Sequence, residues 1–301
     1  MKKRLRVGTR RSLLARSQTT EVIQLLTKIH KGLDIEVQTI ATLGDKTTGP
    51  LPTSHIGFFT SSLETALIHE EVDFVVHSLK DLPSQGSDQL TIAAIPKRNS
   101  ALDVLVTSSG VTLEQLPKGS TVGTSSLRRT AQLLSIRPDL DIELLRGNVD
   151  TRIEKILSGK LQATVLAEAG LRRLSIPLEY QYRIPVKIML PAAAQGALAV
   201  QCRKTDSLTK ALLESIDCTE TRMTTSSERT FLSSTGGGCA VAMAAFARQL
   251  DHQIHLSAEV LSSDGDRKIC VSGVGTDPTH LGHQLAQEAI QMGAQDLLTR
   301  G

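Results

Sequence analysis

The sequence predicts an α/β protein of two or three domains, and three observations support this prediction. Short apolar segments alternate with amphipathic segments over the first two thirds of the chain, which is the pattern of an architecture with mostly parallel sheets. The 301 residues are too many for one ordinary small domain. The last third contains a glycine run, three successive strand-like segments and a terminal helical segment, which indicates a small α+β domain beginning near Cys218.

The strands are predicted from apolar runs, and Ser12 is expected to cap the helix that follows the first of them. The apolar positions of that helix are Leu14, Val22, Leu25, Leu26 and Ile29. In the first two thirds we expect strands over 5–8, 35–40, 74–76, 91–95, 104–107, 121–123, 142–145 and 163–167. In the last third we expect helices over 208–217, 220–233 and 283–299, and strands over 241–249, 254–261 and 268–273.

The composition limits the classes of partner. The net charge of +3, from 34 basic and 31 acidic residues, does not indicate a nucleic-acid or membrane-surface protein. The first residues show no apolar signal region, and no apolar run reaches membrane-spanning length. The cysteines form no C-x-x-C pair and the histidines show no metal-ligand spacing, so we expect no metal and a cytoplasmic location with reduced thiols.

Paired arginines are the most informative charges. They occur at Arg10–Arg11, Arg128–Arg129 and Arg172–Arg173, each pair near a predicted turn or helix end. Clustered guanidinium groups in a near-neutral chain favour a small polyanionic ligand. Segments 7–13 and 122–128 also resemble each other. They are either two ordinary capped helices or two similar lobes that aim helix N-termini and arginines at a shared cleft.

Two further motifs bear reactive groups. The segment His77-Ser78-Leu79-Lys80-Asp81-Leu82-Pro83 follows an apolar strand, so Lys80 and Asp81 are expected on a loop at a strand end, where ligands bind in α/β sheets. Asp81 is either the solvated partner of Lys80 or a proton shuttle and cation stabiliser. Cys239 follows three glycines that allow a bulky group to approach its sulfur, which favours a covalent anchor over a buried thiol.

Taken together, these motifs resemble the hydroxymethylbilane synthase (porphobilinogen deaminase) family. The resemblance covers nearly the whole chain in order, through segments 8–15, 77–83, 123–129, 146–152, 169–173, 191–196 and 237–239. It implies an α/β fold of two doubly wound lobes resembling type II periplasmic binding proteins, plus a small C-terminal α+β domain. The implied limits are 1–97 with 197–216 for the first lobe, 98–196 for the second, and 217–301 for the C-terminal domain.

The resemblance also implies a function. It implies a transferase that joins four porphobilinogen molecules into the linear tetrapyrrole hydroxymethylbilane, in haem biosynthesis, on a dipyrromethane cofactor in thioether linkage to Cys239. It further implies a cytoplasmic monomer without nucleic-acid or membrane partners. Asp81 would be the catalytic carboxylate. The implied cofactor-binding residues are Cys239, Lys80, Ser126, Arg128, Arg129, Arg146 and Asp81. The implied substrate-binding residues are Arg10, Ser12, Arg152, Arg173, Gln195 and Phe59, the last packing on the pyrroles.

The chain departs from the family pattern in three places. Pro52 and Ile56 replace the two lysines of a lid that is usually rich in glycine and lysine. Ala194 replaces the first glycine of the usual G-Q-G, and residues 240–244 differ from the usual Q-V-P-x-G. Two other interpretations stay open at this point: a two-lobed binding protein for a small carboxylate, which would share the lobes and the arginines, and a paralogue that keeps the fold without turnover, which the altered lid suggests.

Overall fold

The computed structural model describes residues 4–41, 61–83, 86–177, 181–236 and 241–298. The chain divides into two compact units, residues 1–99 with 197–222 and residues 100–196 with 223–301. The first unit contains one five-stranded sheet, and the second contains another five-stranded sheet and a three-stranded sheet. The predicted α/β class, with two sheet lobes and a small C-terminal α+β region, is confirmed. The predicted limits of three domains stay a prediction.

The sheet of the first unit has the order β2-β1-β3-β10-β4. Its strands are β1 (Arg4–Arg10), β2 (Asp34–Ile40), β3 (Phe74–Ser78), β4 (Leu90–Ala94) and β10 (Leu198–Arg203). Its helices are α1 (Leu13–Ile29), α2 (Ser61–Ile68) and α6 (Ser207–Glu214), and α7 (Thr219–Ser234) follows along the chain. β1 runs parallel to β2 and β3, whereas β10 runs antiparallel to β3 and β4.

Helix α1 begins where the sequence predicts. The Ser12 hydroxyl oxygen accepts a hydrogen bond from the Ala15 backbone nitrogen at 3.3 Å, which satisfies one free N–H of the first turn. The buried face follows helical spacing through Ala15, Gln18, Thr19, Val22 and Leu26. The expected apolar face is wrong at Leu25 and Ile29, which are exposed: Leu25 lies beside the buried stripe, and Ile29 is the last residue of the helix.

The five-stranded sheet of the second unit has the order β7-β6-β8-β5-β9. Its strands are β5 (Asp103–Thr107), β6 (Thr121–Gly123), β7 (Asp141–Glu143), β8 (Ala163–Ala167) and β9 (Gln181–Arg183). Its helices are α3 (Leu127–Ile136), α4 (Val149–Leu157) and α5 (Glu168–Arg173). β6 runs parallel to β7 and β8, and β5 runs antiparallel to β8 and β9.

The expectation of mostly parallel sheets is confirmed, because four of the five strands in each five-stranded sheet run in the same direction. One strand runs against the others in each sheet, β10 in the first unit and β5 in the second. Each five-stranded sheet therefore has two parallel and two antiparallel neighbouring pairs. These two strands are buried almost throughout. A buried strand is a continuous apolar run in either direction, so its sequence does not encode its direction.

The three-stranded sheet is an antiparallel meander in the C-terminal third. It consists of β11 (Met243–Leu250), β12 (Gln253–Leu261) and β13 (Lys268–Gly275), with α8 (Pro278–Gln291) and α9 (Ala294–Leu298) following. The single helix expected over 283–299 is instead two helices. Asp277 caps α8 through the Thr279 and His280 nitrogens, and Gly293, with φ of 94°, follows its end.

The turn between β12 and β13 packs directly on α3. Gly265 has φ of 77°, and a Cβ atom at this position would lie 2.4 Å from the Ala131 carbonyl oxygen. Only glycine fits such a close approach in the left-handed region. Ala131 also forms a small buried cluster with Ala242 and Leu261, so the meander and the second five-stranded sheet belong to one packed unit.

Candidate functional site

The candidate residues of the first unit lie at one edge of its sheet. Arg10 is the last residue of β1, and Ser12 caps the helix that follows it. Lys80 and Asp81 lie in a short 3-10 turn, Leu79–Asp81, directly after β3. β1 and β3 are parallel neighbours, so their carboxyl ends meet at the same edge, where ligands bind in doubly wound sheets.

Asp81 is exposed on a backbone that is held on both sides. The flanking side chains of Leu79 and Leu82 are buried. The Leu79 backbone nitrogen donates to the Ala197 carbonyl oxygen at 3.0 Å, and the Leu82 nitrogen donates to the Leu79 oxygen at 3.3 Å. The carboxylate is therefore presented to solvent from a fixed turn rather than from a long loop.

A neutral histidine lies in the strand that leads to this turn. The His77 Nε2–H donates to Gln201 Oε1 at 3.1 Å, and Gln201 Nε2 donates to Glu64 Oε1 at 3.1 Å. Burial lowers the pKa of His77 to about 4; the hydrogen bond to Gln201 partly opposes this shift, and the positive charge of Arg10 adds a smaller lowering. His77 is therefore uncharged at neutral pH and is held by its hydrogen bond to Gln201.

The second unit contains two arginines in the first turn of α3. Ser126 caps this helix, its hydroxyl oxygen accepting from the Arg129 backbone nitrogen at 3.5 Å. The side chains of Arg128 and Arg129 are buried rather than solvated. Buried guanidinium groups need a counter-charge, because taking a charge out of water costs several kcal/mol.

Asp103 supplies that counter-charge, and sequence reasoning missed it. Its Oδ2 lies 2.7 Å from Arg128 Nη2, and its Oδ1 lies 2.7 Å from Arg129 Nη2 and 3.1 Å from Arg129 Nε. Burial alone would raise the pKa of Asp103, but the charges and hydrogen bonds of Arg128 and Arg129 lower it to about 2. Asp103 begins β5 but pairs with Ala167, the last residue of β8, so the antiparallel direction of β5 brings it to the edge where β8 ends.

Gln195 and Arg173 are held by contacts within the same unit. The fully buried Gln195 donates from Nε2 to the Ala101 carbonyl oxygen at 2.7 Å and to Asp103 Oδ1 at 3.1 Å. The half-buried Arg173 donates from Nη2 to the Gly196 carbonyl oxygen at 3.2 Å. Gln195 thus supports Asp103, and its expected contact with substrate stays a prediction.

Arg152 adds a third positive charge close to this cluster. It lies in the first turn of α4, and its Nε donates to the Gly147 carbonyl oxygen at 2.9 Å. Burial, and then the nearby charge of Arg129, lower the pKa of Arg152 to about 10. The half-buried Arg146 lies between β7 and α4.

The cluster of Arg128, Arg129, Arg152 and Asp103 carries more positive than negative charge. Arg128 Nε is buried and has no hydrogen-bond partner among the described residues. A buried unsatisfied donor in a site of excess positive charge suits a carboxylate ligand, which guanidinium groups bind with directional, charge-assisted hydrogen bonds.

Several candidate residues lie outside the described part of the chain: Cys239, Phe59, Pro52 and Ile56. The other cysteines are free thiols. Burial raises the pKa of Cys202 to about 11, and burial followed by the charge of Glu259 raises that of Cys270. Within the described ranges, no cluster of three or more His, Cys, Asp or Glu side chains is suited to a metal ion, and no helix combines the length and apolarity needed to cross a membrane.

The fold is that of a two-lobed α/β protein, and its sheet edges carry guanidinium groups of the kind that bind carboxylates. The family model described as "Porphobilinogen deaminase, dipyromethane cofactor binding domain" matches residues 5–211, and that of the "Porphobilinogen deaminase, C-terminal domain" matches residues 222–291. The chain belongs to the porphobilinogen deaminase family. This membership confirms the transferase class and the dipyrromethane cofactor expected from the motifs.

Named relatives agree over nearly the full length. The porphobilinogen deaminase of Brevibacillus brevis is 44% identical over 297 residues, which cover 97% of this chain and 96% of the relative. That of Listeria innocua is 41% identical over 307 residues, with 99% and 98% covered. The solved methionine-binding protein MetQ overlaps only loosely, with a TM-score of 0.45 and 14% identity over 71% of this chain and 89% of that one.

Proposed function

We propose that this chain is an active hydroxymethylbilane synthase, which joins four porphobilinogen molecules into a linear tetrapyrrole on a dipyrromethane bound through Cys239. We further propose that it acts as a cytoplasmic monomer without a nucleic-acid partner. The observation that carries the proposal is the placement of Asp81. Its exposed carboxylate stands on a fixed turn at the sheet edge that also bears Arg10.

In each addition, positive charge develops on the substrate as ammonia leaves. The site therefore needs a group that stabilises this charge. The C–N bond of the aminomethyl group of porphobilinogen breaks, ammonia leaves, and the methylene carbon forms a C–C bond to the free ring carbon of the preceding pyrrole. That ring carbon then loses its proton. An ionised Asp81 beside the substrate lowers the barrier electrostatically when ammonia leaves, and it can accept the proton and orient the pyrrole N–H groups.

The arginines match the charge of the reactants, since every pyrrole of this kind carries two carboxylates. We assign Lys80, Ser126, Arg128, Arg129 and Arg146 to the cofactor, and Arg10, Ser12, Arg152 and Arg173 to the incoming substrate. When bound, dipyrromethane supplies the ring carbon that receives the first porphobilinogen. The excess positive charge at Arg128, Arg129 and Arg152 and the unsatisfied Arg128 Nε fit its carboxylates.

The cysteines support Cys239 as the attachment point. The thiolate is the reactive form of cysteine, and burial strongly disfavours it at Cys202, whose pKa is raised to about 11. Cys270 is also shifted in this direction. Cys239 instead follows three glycines, which leave room for a pyrrole at the sulfur.

The test is the consumption of porphobilinogen and the formation of tetrapyrrole by the purified chain. We expect Asp81→Asn to fold and to lose about a hundredfold or more of the rate, because the shape survives and the charge does not. Asp81→Glu should keep a small residual rate. Asp88→Asn is the matched control, since Asp88 is also exposed and lies in the loop before β4.

Two results would overturn the proposal. A wild-type chain that binds porphobilinogen without consuming it would be a carboxylate-binding protein or an inactive paralogue. Near wild-type consumption by Asp81→Asn would remove Asp81 from catalysis and leave it an ordinary partner of Lys80.

A further inference from the structure

The carboxylate of Asp103 is the negative centre of the arginine cluster in the second unit. Its side chain is completely buried, yet one oxygen faces Arg128 and the other faces Arg129. Gln195 donates to the same oxygen as Arg129. A carboxylate with this many charge-assisted partners is held in one orientation, and it fixes the orientation of the guanidinium groups in turn.

The rest of the surroundings makes the orientation of Arg128 specific. Its Nη1 donates to the Leu190 carbonyl oxygen at 2.7 Å. Gln132 fixes Leu190 from both sides, since its Nε2 donates to the Leu190 oxygen at 3.0 Å and its Oε1 accepts from the Leu190 nitrogen at 2.6 Å. With Nη1 and Nη2 committed to Leu190 and Asp103, Arg128 Nε is left as the unsatisfied donor among the described residues.

Asp103 also limits the mutual repulsion of the arginines. The charge of Arg129 lowers the pKa of both Arg128 and Arg152, which shows that the three positive groups lie within electrostatic reach of one another. Asp103 contacts Arg128 and Arg129 directly, and Glu259 lies within electrostatic reach of Arg128, so two carboxylates offset part of the charge of three arginines. Removal of the Asp103 carboxylate would leave buried like charges that must turn away from each other.

We infer that Asp103 is a positioning residue, which holds Arg128 and Arg129 in the orientation in which they bind the carboxylates of the dipyrromethane. The inference rests on the proposed function. Asp103 is completely buried and each of its oxygens faces a guanidinium group, so we assign it an action through Arg128 and Arg129 rather than a cofactor contact of its own.

The chain offers a matched control in the same unit. Glu168 is also a buried carboxylate, and its Oε1 lies 2.8 Å from Arg172 Nη2 and 2.6 Å from Arg183 Nε. These two arginines are about half exposed and are not assigned to either ligand. Glu168→Gln therefore removes a buried charge and its ion pairs without disturbing the proposed cofactor site.

The experiment follows attachment rather than turnover. Full-length chains purified without the adduct are incubated with porphobilinogen, and the gain in intact mass is followed with time, below the melting temperature of each variant. We expect Asp103→Asn to gain mass about tenfold or more slowly than the wild type, as the loss of one well-placed charge-assisted hydrogen bond would produce. Asp103→Glu should be intermediate, and Glu168→Gln should match the wild type.

A purely structural role predicts a different pattern. Both Asp103→Asn and Glu168→Gln would then melt earlier, and both would gain mass at the wild-type rate per folded molecule, which would overturn the inference. If Asp103→Asn does not fold, Asp103→Glu decides, and a wild-type rate in that variant refutes the positioning role. A wild-type chain that gains no mass would refute the proposed function, and the inference with it.

Discussion

Mild acid should destabilise the fold through His77. Burial lowers the pKa of this side chain to about 4 from an ordinary value of 6.5. Between these two values the unfolded chain binds a proton that the folded chain excludes, so the free energy of unfolding falls as the pH falls. The full contribution of the neutral histidine is present above pH 6.5 and is lost progressively toward pH 4.

The size of the effect follows from the two pKa values. A shift of one unit corresponds to about 1.4 kcal/mol, so the loss relative to neutral pH is about 2 kcal/mol near pH 5 and about 3 kcal/mol near pH 4. The buried carboxyl group of Asp103 affects stability only at lower pH. The lowered pKa of Asp103, about 2, makes its contribution fall only as the pH drops below its ordinary value of 3.8.

The assay is urea unfolding of the wild type and two variants at several pH values from about 8 to about 5. His77→Gln keeps an uncharged donor for Gln201, so its stability should depend much less on pH over this range. His69→Gln is the control, because His69 is exposed, and it should lose stability in parallel with the wild type. Equal pH dependence in His77→Gln and the wild type would refute the reasoning.

Three further predictions follow from strain and from charge. Ala194 has φ of 60°, so Ala194→Gly should raise the free energy of unfolding by about 0.5–1 kcal/mol in thermal melts, whereas Ala199→Gly in β10 should lower it. Arg129→Leu should hinder attachment of the dipyrromethane, measured by intact mass, because one carboxylate contact worth about 1.5–3 kcal/mol is lost. Arg10→Leu and Arg152→Leu should mainly slow tetrapyrrole growth, and wild-type rates in both would remove their assignment to the substrate.

Local patterns in the sequence were sufficient for most of the elements. The cap at Ser12 and the apolar run of β8 are signals contained within a few residues, and both elements lie where the sequence predicts them. β10 was not predicted, because a buried strand that returns to a sheet more than a hundred residues later has no local mark of its partner. The break at Gly293 was missed because a glycine late in a helical pattern is only a weak stop signal.

In the candidate site too, residues in local motifs were predicted, whereas a residue placed by strand pairing was not. The motifs place Arg10 and Asp81 at strand ends, and the structure confirms that these ends share one sheet edge. Asp103 was not predicted, because the sequence of β5 does not encode its antiparallel direction, and only that direction brings Asp103 to the edge where β8 ends. The signal in the sequence was the acidic Asp103 at the start of β5. The other residues of this strand are Val, Leu, Val and Thr, and all of them are buried. Only the pairing with β8 turns that signal into a site residue.

Intact-protein mass spectrometry of the wild type and Cys239→Ser, both produced in cells that make porphobilinogen, tests the central claim most directly. The wild type should exceed its sequence mass by two deaminated porphobilinogen units, and Cys239→Ser should lack this increment. Cys270→Ser is the control, since Cys270 is exposed and should be replaceable without loss of the adduct. An unmodified wild-type mass, or an increment that persists in Cys239→Ser, would contradict the account.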